Sequence, residues 1–151
     1  MSVNCLIAYC SMSGNTEEIA ETIGEGIRKA GANVDIKDIL MVDVKDLLDY
    51  DGILLGAYTW GDGDLPDEFL DFYDDMDQIS LKGKKAVAFG SCDSSYEHRG
   101  GAVDRLTEKL VELEADLVLT GLKIDLSPTE AEKEQCVQFG IDFVEKVGLG
   151  D

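Results

Sequence analysis

The sequence is poor in basic side chains: 13 Lys and Arg stand against 32 Asp and Glu in 151 residues, for a formal net charge of −19 and a pI near 4.1. A surface of that sign repels phosphate backbones and anionic lipid, which argues against nucleic acid or a membrane as partner. Long apolar runs are missing too. The longest nearly uninterrupted one, 53–60, has eight residues, too short to span a bilayer. The N-terminus carries neither the basic stretch nor the apolar run of a signal peptide, so the expected setting is cytoplasmic. No Cys-x-x-Cys pair occurs among Cys5, Cys10, Cys92 and Cys136, and a single His offers little for zinc. These cysteines read as reduced, mostly buried thiols. No linker, repeat or low-complexity tract interrupts the chain, which is taken as one domain over 1–151.

What the chain does have is apolar content (44 %) arranged with a switching period. Short continuous runs alternate with helical spacing, the pattern of an α/β fold with a parallel sheet covered on both faces. Strands are expected at 3–10, 33–39, 52–58, 85–91 and 117–124. Between them Ile19, Ala20, Ile23, Ile27 and Ala30 share one helical face, with Gly31 at the C-cap. Val103, Leu106, Leu110 and Leu113 repeat the pattern. A last helix starts at Ser127-Pro128-Thr129-Glu130, with Val137, Ile141 and Val144 on its apolar side.

Ligands of open parallel sheets bind beyond the carboxyl ends of the strands, where the winding direction reverses. That directs attention to the loops 11–16, 59–64 and 92–100. The first, Ser11-Met12-Ser13-Gly14-Asn15-Thr16, combines hydroxyls, a glycine for close approach and the amides of a helix N-terminus, which makes an anion cradle; the alternative is an ordinary helix cap. It lacks the Lys of a nucleoside triphosphate loop and is not Gly-x-Gly-x-x-Gly, so it suits a phosphate monoester held by neutral donors. The second, Tyr58-Thr59-Trp60-Gly61-Asp62-Gly63, places the only Trp at a strand end, where it can lie over a planar ring or fold back onto the core. The third holds Ser91, Cys92, Asp93, Tyr96 and His98, with Tyr96 as a second aromatic wall. Six residues separate Cys92 from Arg99, the wrong spacing for a Cys-x5-Arg phosphatase loop. Phosphate cradle and two aromatic walls together describe a ring-bearing phosphate ester.

These residues closely resemble the flavodoxins, small carriers of electrons on flavin mononucleotide (FMN). The resemblance covers essentially the whole chain and is most specific at Ser11-x-Ser13-Gly14-Asn15-Thr16, Thr59-Trp60-Gly61-Asp62, and Asp93-Ser94-Ser95-Tyr96-Glu97 leading into Gly101-Ala102-Val103-Asp104. It implies a doubly wound three-layer sandwich around a five-stranded parallel sheet in the order 2-1-3-4-5, of which flavodoxins are the type example. Without an insertion of about twenty residues in its last strand, the chain looks like a short-chain member. The resemblance further implies that Ser11, Ser13, Asn15 and Thr16 hold the FMN phosphate and that Trp60 and Tyr96 stack on opposite faces of the isoalloxazine. Thr59 and the backbone of Ser91 to Asp93 would hold the ribityl and pyrimidine parts, with Met12, Gly14, Tyr58, Gly61, Asp62, Gly63 and His98 completing the site. Cys92 and His98 depart from relatives that carry Gly and Tyr there, which bears on tuning more than on binding.

The function so implied is that of a low-potential one-electron carrier, not an enzyme, cycling non-covalent FMN mainly between neutral semiquinone and anionic hydroquinone. A turn of the Gly61–Asp62 carbonyl toward a protonated flavin N5 would stabilise the first of these, since glycine tolerates positive φ. No basic residue lies between Lys45 and Lys82, where acids stand at Asp46, Asp49, Asp51, Asp62, Asp64, Asp67, Glu68, Asp71, Asp74, Asp75 and Asp77. A charge roughly 10 Å from the ring, at an effective dielectric of about 40, opposes an added electron by about 0.8 kcal/mol before screening. The same band steers partners with basic docking surfaces, and a monomer is the natural form for such a shuttle. The competing readings are an FMN-dependent quinone or nitro reductase, for which the chain has no second nucleotide domain, and a flavodoxin-like activator of a metalloenzyme, whose flavin loop differs from Thr59-Trp60-Gly61-Asp62. A receiver module would need an Asp at the end of the third strand, where Tyr58-Thr59 stand.

Overall fold

The computed structural model describes residues 3–11, 14–59, 65–92, 101–125 and 128–149. In chain order the elements are β1 (Asn4–Cys10), α1 (Asn15–Lys29), β2 (Asn33–Asp38), β3 (Gly52–Ala57), α2 (Asp67–Asp75), β4 (Lys85–Cys92), α3 (Gly101–Glu112), β5 (Asp116–Leu117), β6 (Leu122–Asp125) and α4 (Glu130–Leu149). Turns of 3-10 helix at Ile39–Met41 and Val44–Asp49 connect β2 to β3, and another at Met76–Gln78 follows α2.

The strands form one parallel sheet in the order β2-β1-β3-β4-β5, with β6 also on β4, in the winding expected from the sequence. Side chains alternate across it, as the two-residue strand period requires. Leu6, Ala8, Ile53, Leu55 and Ala88 face α2 and α3, where they meet Phe69, Phe72, Leu106 and Leu110. Cys5, Ile7, Leu54, Val87 and Phe89 face α1 and α4, where they meet Ile19, Ile23, Ile27, Cys136 and Phe143. Every residue of β3 is buried because helices cover both of its faces, which explains the unbroken apolar run. β2 is an edge strand, half exposed and carrying Asp35 and Lys37, charges that discourage a further strand from pairing there.

Two expectations are corrected. The strand expected at 117–124 is two pieces. Ala86 pairs with Leu117 and Phe89 with Leu122, so two residues of β4 oppose four of the partner, an edge bulge. A Cβ on Gly121 would stand 2.8 Å from Val103 Cγ1, so the bulged chain presses close against α3. In α4 the buried stripe is Cys136, Gly140, Phe143 and Val147, with Val144 beside it, whereas Val137 and Ile141 are only half buried. The cause is close helix packing: a Cβ on Gly26 of α1 would lie 1.9 Å from the Val137 carbonyl oxygen, and one on Gly140 would lie 2.2 Å from that of Ile23. Gly31, at φ 89°, sits one position beyond the cap residue Ala30.

Candidate functional site

β1, β3 and β4 all end at the same edge of the sheet, and parallel pairing sets their last residues side by side: Cys10 pairs with Ala57, and Gly56 with Phe89. The segments that leave this edge are the three loops singled out above.

After β1 the chain turns through Gly14, whose φ of 90° falls in the left-handed region; a Cβ there would meet nothing within 4 Å, so conformation and not space requires glycine. Gly14 is also the N-cap of α1, and it supplies no side-chain cap. The first amides of the helix therefore face the loop without a side chain over them, as an anion site needs. The Gly14 N–H donates to Ser11 Oγ at 3.0 Å, which occupies an acceptor position of that hydroxyl and leaves its proton for another partner. Glu17 in the first turn accepts from the Tyr9 hydroxyl at 2.7 Å, and burial with this bond pushes the Tyr9 hydroxyl well above its ordinary pKa.

Thr16, the second residue of α1, is fully buried, and its Oγ1 lies 2.8 Å from Oγ of Ser91 near the end of β4. The Ser91 carbonyl accepts from the Thr59 N–H at 3.2 Å. Thr59 Oγ1 in turn accepts from the Ala102 N–H at 3.3 Å, in the first turn of α3. A continuous strap of four residues thus crosses the carboxyl edge and joins all three loop regions. Like Ser11, Thr59 uses its oxygen to accept and keeps its own proton available.

Of the residues expected in the site, Ser11, Gly14, Asn15, Thr16, Tyr58, Thr59, Ser91 and Cys92 are at this edge. Tyr58 packs against the α2 and α3 side of the core and donates to Glu68 Oε2 at 3.1 Å, and burial with that bond pushes its hydroxyl up to about 12. The Cys92 thiol is buried and donates to the Ile124 carbonyl at 3.5 Å, which places its side chain against β6. Met12, Ser13, Trp60, Gly61, Asp62, Gly63, Asp93, Tyr96 and His98 lie outside the described residues. Ala102 and the Ser91 hydroxyl were not anticipated. The signal for Ala102 was its place at the glycine-rich start of α3, where a backbone N–H has no intrahelical partner. All four cysteines are free and buried; burial pushes Cys5 and Cys10 up to about 12 and Cys136 up to about 11, so they are thiols.

The donor set fits a phosphate monoester: neutral hydroxyls with protons to give, an uncapped helix N-terminus, and no Lys or Arg at 11–16. Among the described residues no helix is long and apolar enough to cross a membrane.

Comparison with known proteins agrees with this geometry. The sequence model of the family described as Flavodoxin matches residues 7–140. A probable flavodoxin 2 of Bacillus subtilis is 46 % identical over 144 residues, 95 % of each chain. A flavodoxin of Maridesulfovibrio salexigens is 39 % identical, covering 94 % of this chain and 97 % of its own. The crystal structure of oxidised flavodoxin 1 from Bacillus cereus is 54 % identical and superposes with a TM-score of 0.91 over 94 % of this chain and 97 % of that one.

Proposed function

Because the chain belongs to the flavodoxin family, whose members bind FMN and transfer electrons without being enzymes, we propose that it is a one-electron shuttle working on the lower-potential of the two flavin couples. Bound FMN supplies the chemistry, accepting and returning electrons singly. The protein's share is to hold it and to set the energy of the charge. Ser11, Ser13, Asn15 and Thr16 hold the phosphate with the amides of α1, Thr59 donates to the ribityl chain, and Trp60 and Tyr96 flank the ring. The observation that carries this reading is the hydroxyl set at the uncapped helix: Ser11 and Thr59 each accept from a backbone N–H and so present a proton.

The acids of 46–77 divide into two groups. Asp46 closes a capping box with Asp43, Asp51 accepts from the Asn4 N–H, and Asp77 accepts from Lys109, so these do local structural work. Asp71, Asp74 and Asp75 on α2 have no ion-pair partner among the described residues, and they supply the negative field that lowers the potential. Leu40, 72 % exposed, lines a groove of about 210 Å³ with Asp43, Glu68, Asp71 and Asp75, and Met41 beside it is 76 % exposed. An apolar centre in an acidic rim suits a redox partner with a basic surface around an apolar tip, docking weakly and fast on a monomer in the cytoplasm.

The test is an anaerobic reductive titration of the protein reconstituted with FMN. Two separable one-electron steps, the second at low potential, are expected. A single two-electron bleaching would replace this reading with a quinone or nitro reductase, and failure to bind FMN would overturn it.

A further inference from the structure

Three polar side chains are buried among the described residues: Thr16, Ser91 and Lys109. Lys109 is accounted for by Asp77, 2.6 Å away. The other two satisfy each other across 75 residues of sequence, and in their 2.8 Å contact either hydroxyl could be the donor. Proton arithmetic separates the two cases. Each hydroxyl has one proton. If Thr16 gives its proton to Ser91, nothing remains on Thr16 for an anion at the helix N-terminus. If Ser91 gives its proton to Thr16, the Thr16 hydroxyl accepts from below and keeps its own proton for the loop. A phosphate dianion only accepts, so only the second arrangement serves it.

We infer that the Ser91 hydroxyl is a positioning residue for the phosphate: it donates to Thr16 Oγ1 and thereby turns the Thr16 proton toward the anion. Donation into the Thr16 oxygen also polarises its O–H and strengthens the outgoing bond. Ser91 itself touches the ligand's ring side only through its backbone, whose carbonyl holds the Thr59 N–H. The side chain and the main chain of one residue thus serve opposite ends of the nucleotide. This rests on the reading that Thr16 holds the FMN phosphate.

Replacing the side chain leaves the backbone bond in place, so Ser91→Ala isolates the hydroxyl. The experiment titrates FMN and riboflavin, which lacks the phosphate, into apoprotein of wild type, Ser91→Ala, Thr16→Ala and the double variant, followed by quenching of flavin fluorescence. Ser91→Ala is expected to weaken FMN about tenfold, equivalent to about 1.4 kcal/mol, and riboflavin by less than about twofold. The double variant is expected to bind FMN no more weakly than Thr16→Ala alone, because Ser91 acts only through Thr16. Ser91→Cys keeps the side-chain shape with a weak donor and is expected to lose FMN affinity in the same selective way, so the result does not depend on one variant folding. Equal losses for FMN and riboflavin, no loss for either, or full additivity with Thr16→Ala would each overturn the inference. A wild type that binds riboflavin as tightly as FMN would instead overturn the phosphate reading beneath it.

Discussion

On one face of the sheet, α1 carries Glu17 and Glu18 in its first turn and Arg28 and Lys29 in its last. It closes with Gly31 N–H to Arg28 O and Ala32 N–H to Ile27 O around a left-handed glycine. On the other face α2 also starts with acids, Asp67 and Glu68, yet ends in Asp74 and Asp75 with no cation in its last turn. There α3 closes with the same pair of bonds, Glu114 N–H to Val111 O and Ala115 N–H to Leu110 O, but puts Glu114 at φ 70° where glycine is easiest. The α1 side follows the local rules of helix stability; the α2 and α3 side sets several of them aside. Departures of this kind concentrate where function competes with stability. The face that departs holds the acidic groove and the Tyr58–Glu68 contact next to the second loop.

The α1 side should be the less forgiving to added bulk. Gly26→Ala puts a Cβ against the Val137 carbonyl at 1.9 Å, and a main-chain atom cannot step aside as a side-chain tip can. Helix propensity favours alanine by about 1 kcal/mol, so a net loss of about 3 kcal/mol in a urea titration marks overpacking that dominates propensity. A stabilised Gly26→Ala would show that α1 and α4 separate easily, and the contrast between the faces would fail.

The next effect concerns the one cation that the α2 and α3 side buries. Lys109 is 5 % exposed, lies 4.3 Å over the Tyr73 ring and reaches Asp77 just past α2. Desolvation lowers its pKa, but the Asp77 bond and charge outweigh that and raise it. A raised folded-state pKa means that the contribution is complete below the ordinary lysine range and is lost as pH climbs through the folded value. Asp77→Ala is expected to cost about 1.5 kcal/mol at pH 7, less than for a fully buried pair because Asp77 is itself well exposed. It should also flatten the alkaline decline in stability. Lys109→Met, which removes the charge together with its need for a partner, should cost less than Asp77→Ala; the reverse order would mean that the pair merely fills space.

Much of this was legible in the sequence. The strands were, because continuous apolar runs of five to eight residues between turn signals are hard to place otherwise, and a sheet covered on both faces demands them. The break between β5 and β6 was not, because it depends on Gly121 meeting Val103 from a different helix. The α4 stripe was read one position off: valine and isoleucine advertise burial, whereas Cys136 and Gly140 reveal theirs only against α1. At the site, the hydroxyls of the first loop could be found by residue type. The Ser91 side chain could not, because its meaning lies in a partner 75 residues away.

A smaller effect tests the two helix ends directly. Glu114→Gly relieves a left-handed residue of its Cβ, while the freer glycine costs the folded state some entropy. A gain of about 0.5–1 kcal/mol in thermal or urea unfolding is expected. At the α1 end the equivalent move is already made, and Gly31→Ala should lose a similar amount.

The smallest stability change is the one that decides why the two faces differ. Replacing Asp71, Asp74 and Asp75 together by Asn removes three unpaired charges from α2, two of them at the helix end where the macrodipole disfavours acids. At low salt this should stabilise the protein by about 0.3–0.5 kcal/mol per helix-end charge, with the gain shrinking as salt is added. The price should appear in function. If those charges lie roughly 10 Å from the added electron, each removal is worth about 0.8 kcal/mol, or about 35 mV before screening, toward a higher second potential. Electron transfer to a basic acceptor such as cytochrome c should also lose salt dependence. A variant that is more stable with its second potential raised and its salt dependence reduced shows that α2 gives up stability for a stronger donor. If stability rises while potential and salt dependence stay where they were, the acids only keep the surface soluble, and the difference between the faces has another cause.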